Sequence, residues 1–81
     1  MNIFEKAVNK YGAENQVRKA VEELTELSVA LLHSLDGRGD TENICEEMAD
    51  VEIMLEQLHV IFGHGDYRLI KERKLMERMN G

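Results

Sequence analysis

An all-α fold is predicted by three features of the sequence: apolar residues recur at three- and four-residue spacing, proline is absent, and all six glycines fall outside those periodic stretches. Short strands joined by turns would leave a different composition. The expected architecture is a helical hairpin with shorter flanking helices, one domain spanning residues 1–81, completed as a helical bundle by oligomerisation.

The first helix is expected to begin after Asn2, because Asn2 and Glu5 have capping-box spacing, and to end near Gly12. It carries Phe4, Ala7, Val8 and Tyr11 on one side. The second, from about Glu14 to Leu35, repeats Val17, Ala20, Val21, Leu24, Leu27, Leu31, Leu32 and Leu35 at helical spacing. The Asp36–Asp40 stretch, with two glycines, breaks it. A third helix, Thr41 to Phe62, places Ile44, Met48, Val51, Leu55, Leu58 and Phe62 on one stripe, with Ile53, Met54, Val60 and Ile61 outside it. Its apolar surface is therefore wider than one neighbour can cover. Each of these two helices is about 33 Å long at 1.5 Å per residue, and the short loop between them predicts an antiparallel pair. After Gly63-His64-Gly65, a fourth helix from about Asp66 to Met79 is expected to pack through Tyr67, Ile70, Leu75 and Met79 or a similar set, or to swing onto a partner subunit.

Sixteen acidic residues against ten basic ones give a formal charge of −6, which argues against a nucleic-acid polymer as partner. Cys45 is the one cysteine and can form no internal disulfide, so a reducing cytoplasm is the expected compartment. No stretch approaches the roughly 20 apolar residues that cross a bilayer, and Met1–Lys10 lacks the apolar core of a signal peptide. Neither a membrane nor secretion is expected. A chain this short buries only about 60% of its unfolded surface, so association as a homodimer or homotetramer is the expected remedy.

The acidic residues are not evenly spread. Between Ala20 and Glu56 there are eleven, against one basic residue, Arg38. They include Glu22-Glu23-Leu24-Thr25-Glu26 on the second helix and Glu46-Glu47-Met48-Ala49-Asp50 on the third. Residues three apart on a helix lie about 60° from each other and one turn along, so Glu23 with Glu26, and Glu47 with Asp50, each form one carboxylate patch. Antiparallel pairing sets the two patches nearly level. Four carboxylates beside apolar stripes repel one another strongly, and the relief is a proton or a cation. Oxygen-only donors select hard cations, and Mg²⁺, with Mn²⁺ as a substitute, binds through a few carboxylates while engaging substrate phosphates. Neither run has the intervening lysines that would make it an ordinary ion-pair ladder. Di-iron bundles use Glu-x-x-His, which neither patch contains.

Glu23-Leu-Thr-Glu26, twenty intervening residues and Glu47-Met-Ala-Asp50 together resemble the signature of the MazG-like all-α nucleoside triphosphate pyrophosphohydrolases. The Tyr11-Gly12 turn, Gln16, the Lys19–Glu23 run and the Glu46–Val51 run are also similar to small members, and the likeness covers most of residues 11 to 60. The resemblance implies Mg²⁺-dependent cleavage of a nucleoside triphosphate between its α and β phosphates, giving a monophosphate and pyrophosphate. It implies Glu23, Glu26, Glu47 and Asp50 as metal ligands, with Glu22 or Glu46 either orienting the attacking water or facing solvent. Lys71, Lys74 and Arg78 share a face of the fourth helix and either reach the phosphates or are ordinary basic residues of a helix C-terminus. Lys19, one turn before Glu23, is a second phosphate candidate.

With no tryptophan, stacking on the base falls to Phe4, Tyr11, His33, Phe62 or Tyr67, of which His33 lies on the metal-facing side of the second helix, whereas His59 and His64 read as surface and loop residues. Asp36–Glu47 has the length of an EF-hand loop, but Arg38 at its third position and Thr41 in place of its glycine defeat it. The rival function is a non-catalytic acidic helical module whose negative face engages a basic partner.

Overall fold

Asn2 and Glu5 form the capping box their spacing predicts: the Glu5 N–H donates to Asn2 Oδ1 at 2.9 Å, and the Asn2 N–H donates to Glu5 Oε1 at 3.0 Å. They open α1, Ile3–Tyr11, in a computed structural model that describes residues 1–81. Gly12, at φ 90°, then ends α1 and starts α2, Ala13–Leu35, through a backbone turn that side chains with a Cβ rarely adopt. At the hairpin tip a Cβ on Gly39 would lie 2.5 Å from Ser34 Cα, so the chain closes there only with glycine. Asp40 caps α3, Thr41–Phe62, by accepting the Glu42 N–H at 3.0 Å. α4 runs Tyr67–Asn80, and there is no strand. The fold is all-α, as expected, and no helix is long and apolar enough to cross a membrane.

α2 and α3 pack along their length as the predicted hairpin, and α1 lies against both, mainly α3. The residues that meet inside differ from the predicted stripes. On α2 the inward positions are Gln16, Ala20, Glu23, Leu27 and Ala30, and on α3 they are Ile44, Glu47, Val51, Met54, Leu58 and Ile61. Of the predicted α2 set only Ala20 is buried, with Val17 and Leu27 partly so; Val21, Leu24, Leu31, Leu32 and Leu35 are exposed. On α3, Met48, Leu55 and Phe62 are likewise exposed. Each helix carries two adjacent apolar lines, and the pair buries only the narrower one. Small alanines on α2 let the backbones approach, which is why they face inward and the leucines do not.

The fourth helix is the larger departure. The α4 backbone approaches none of the other helices closely, Arg68 lining a surface hollow with α1 and α3, and all its residues are exposed, so Tyr67, Ile70, Leu75 and Met79 do not pack within the chain. Seven of its fourteen residues are charged, which leaves no apolar stripe wide enough to dock on the hairpin.

A polar contact that periodicity does not announce fixes the open end of the hairpin. Gln16 Nε2 donates to Gln57 Oε1 at 2.6 Å, and both side chains are buried. The signal was present in phase: Gln16 precedes Ala20 and Glu23 by four and seven residues, so it belongs to the same inward line. Removing either partner strands the other, at a cost of about 1–3 kcal/mol.

Candidate metal centre

One residue along an α-helix is about 100° of rotation, and in an antiparallel pair that step turns both helices toward the same side of the hairpin. Lys19, Glu22 and Glu26 on α2 and Glu46 and Asp50 on α3 each immediately precede an inward residue. They therefore share one side, and that side is acidic. Glu23 and Glu47 occupy the seam beneath it, where the hairpin's own packing removes water.

Three carboxylates converge there. Oxygens of Glu23, Glu26 and Glu47 all lie within 4.8 Å of one another. Glu23 is nine-tenths buried, its side chain retaining 10% of its accessible surface. Oε2 of Glu23 and Oε2 of Glu47 are buried without any hydrogen-bond partner. Buried polar atoms are rarely left this way, and an ionised carboxylate is the costliest kind to strand. The Glu47 carboxyl is accordingly held above the usual carboxylate range, first by desolvation, then by the charges of Glu26, Asp50 and Glu23 and a hydrogen bond with Glu26.

Lys19 supplies the one cation at the cluster. Its Nζ lies 3.2 Å from Glu23 Oε1 and 3.7 Å from Glu22 Oε2. The hydrogen bond to Glu23 and the charges of Glu23 and Glu22 hold the ammonium above its ordinary pKa. One exposed ammonium shared between two carboxylates does not neutralise three more acids. The remaining donor set is all carboxylate oxygen, with two free lone-pair positions aimed inward, and it fits a hard divalent cation such as Mg²⁺ or Mn²⁺.

The other predicted site residues fall at different distances. Asp50 stays outside the group of three and is exposed, although its charge still reaches Glu47; three carboxylates meet rather than four. Asp50 sits about 60° round α3 from Glu47, so its carboxylate flanks the patch while Glu47 points into it. Glu22 and Glu46 are exposed on the acidic side. His33 is exposed two turns past Glu26, about 10 Å along α2. Lys71, Lys74 and Arg78 do share a face, lining a shallow open pocket of about 400 Å³ with Glu77. Within one chain they are not brought to the carboxylates: α4 starts beyond Phe62, fifteen residues or about 22 Å along α3 from Glu47, and then leaves the hairpin.

No protein family, curated protein or solved structure matches the chain, so its function is argued from this cluster.

Proposed function

We propose that the chain is a cytoplasmic, MazG-like nucleoside triphosphate pyrophosphohydrolase, dependent on Mg²⁺ and assembled as a homodimer or homotetramer. The observation that carries this reading is the meeting of Glu23, Glu26 and Glu47 from two helices, with two buried carboxylate oxygens left unpartnered. Glu23, Glu26 and Glu47 would hold the metal, and Asp50 would flank it. A bound ion would supply Lewis acidity toward the triphosphate and a water of lowered pKa. Water adds across the bond between the α and β phosphates, so the products are a nucleoside monophosphate and pyrophosphate. Lys19 places an ammonium at the rim of the same patch, and Glu22 and Glu46 stand on the acidic side where they can orient that water. The protein's contribution is placement and charge.

A non-catalytic acidic module that binds a basic partner is the alternative. Glu22, Glu46 and Asp50 would serve it, since they are exposed. Glu23 and Glu47 speak against it, because a docking face gains nothing from acids turned into the seam. Pyrophosphate release, followed with Mg²⁺ across the common and modified nucleoside triphosphates, separates the two. The proposal expects at least one nucleotide to yield equal amounts of monophosphate and pyrophosphate. Absence of product from every one of them would leave the acidic module standing.

A further inference from the structure

Two histidines stand together where α3 ends, well away from the carboxylate cluster. The Gly63 N–H donates to the His59 carbonyl at 2.8 Å and Gly63 takes φ 86°, so the chain turns back as it leaves α3. That turn sets the His64 ring 5.5 Å from the His59 ring, centre to centre, with an angle of 41° between their planes. Two acids face the same place. Glu56 precedes His59 by three residues, so the pair lies about 60° apart and one turn along the same side of α3. Glu5 of α1 lies across from them, and Glu5, Glu56, His59 and His64 line one open hollow of about 340 Å³. The Asn2 N–H occupies Glu5 Oε1, which leaves Glu5 Oε2 free. Glu56 takes part in none of the chain's ion pairs.

We propose that His59, His64 and Glu56 form a second metal site, one that takes a borderline divalent cation of the zinc type, with Glu5 Oε2 as its fourth donor. Ring spacing is the first reason. Two imidazoles on one tetrahedral ion, with Zn–N bonds of about 2.0 Å, have ring centres about 5 Å apart, close to the 5.5 Å between His59 and His64. Two imidazoles in plain aromatic contact can stand at the same distance, but such a pair has no need of acids from two helices around one hollow. Donor chemistry selects the ion: nitrogen with carboxylate oxygen suits zinc and its neighbours, whereas the all-oxygen set of Glu23, Glu26 and Glu47 suits Mg²⁺ or Mn²⁺. Charge also favours a cation, since Arg68, at the edge of the adjoining hollow, is already paired with Glu72 at 3.1 Å. The carboxylates stand beyond ion-pair distance from the rings, so closing the set takes rotation of the exposed Glu56 side chain with α3 in place. Glu56 is nine residues from Glu47, about 14 Å along α3 and half a turn round it. The two sites share no donor, and the second stands whether or not the first serves hydrolysis.

Imidazole proton–nitrogen correlations of the full chain, labelled with ¹⁵N and held in excess Mg²⁺ to occupy the carboxylate cluster, read the site directly as Zn²⁺ is added. The ring signals of His59 and His64 are expected to move together and saturate at one Zn²⁺ per chain, while those of His33, exposed on α2, stay still. His64→Gln is expected to raise the Zn²⁺ concentration that half-saturates the His59 signal at least about 10-fold, the least that loss even of a group orienting a ligand costs. Glu56→Gln is expected to shift it in the same direction. His59, His64 and Glu56 are all exposed, so these substitutions leave the buried seam intact. Rings of His59 and His64 that do not move in a several-fold excess of Zn²⁺ would mean an aromatic pair without an ion and would overturn the proposal. Signals of all three histidines moving in step without saturation would overturn it equally.

Discussion

Glu23→Gln and Glu47→Gln chains are each expected to release pyrophosphate about 10²–10³-fold more slowly than the wild-type chain at saturating Mg²⁺, the scale on which one electrostatic group at a reacting phosphate or carbonyl counts. Glutamine keeps the volume and one carbonyl oxygen but removes the charge. At these two positions the charge has little else to do: Oε2 of each is buried and unpartnered, and Lys19 satisfies only Glu23 Oε1. Asp50→Asn is expected to cost less, since Asp50 stands outside the group of three. Glu14→Gln, which removes a surface pair with Arg18 at 2.7 Å, should leave turnover unchanged. Full turnover by Glu23→Gln would remove the carboxylate cluster from the reaction.

Melting temperature should respond to metal and pH together. The raised pKa of Glu47 means that the folded chain holds this proton more tightly than the unfolded chain does. Its stabilising contribution is therefore fully present below the unfolded-state pKa and is lost as pH rises through the raised folded-state pKa. Without metal, the wild-type chain should lose melting temperature across that window. Glu47→Gln should flatten the dependence and melt higher at neutral pH, because it removes the ionised form. A divalent cation replaces the proton: at 100 times its dissociation constant it stabilises by about 2.7 kcal/mol, roughly 10 °C or more for a domain of this size. That rise should be present at neutral pH and vanish as acid protonates the cluster. Scanning calorimetry at fixed chain concentration reads all of this. Equal metal-induced rises in wild type and Glu47→Gln would break the link between this carboxylate and the ion.

Helix existence and the pairing of α2 with α3 were legible because the chain marks its own stops. Asp40 and Gly63 bracket α3 at the predicted bounds, and Asn2 with Glu5 opens α1 as spaced. The acidic patches were legible for the same geometric reason, since residues three apart on a helix must share a side. Which apolar line faces the partner helix was not legible. Leu24 and Ala20 are equally in phase with a helical period, and the choice between them is made by backbone approach, which favours the smaller side chain. Asp50 shows the limit of a spacing rule: it follows Glu47 by one turn, yet their carboxylates leave the helix about 60° apart, enough to put one in the seam and the other on its rim. Spacing alone marks Tyr67 and Ile70 as packing residues, whereas the charge density of α4 decides against it.

Whether Glu23, Glu26 and Glu47 hold a divalent ion is read most directly by titrating the chain into Mn²⁺ and following the electron paramagnetic resonance signal of the free ion. Saturable loss of signal at a fixed small number of ions per chain, abolished in Glu23→Gln and displaced by Mg²⁺, is the expected result. A loss that never saturates and is the same in both chains would mean that the acids form a solvated surface and hold no metal.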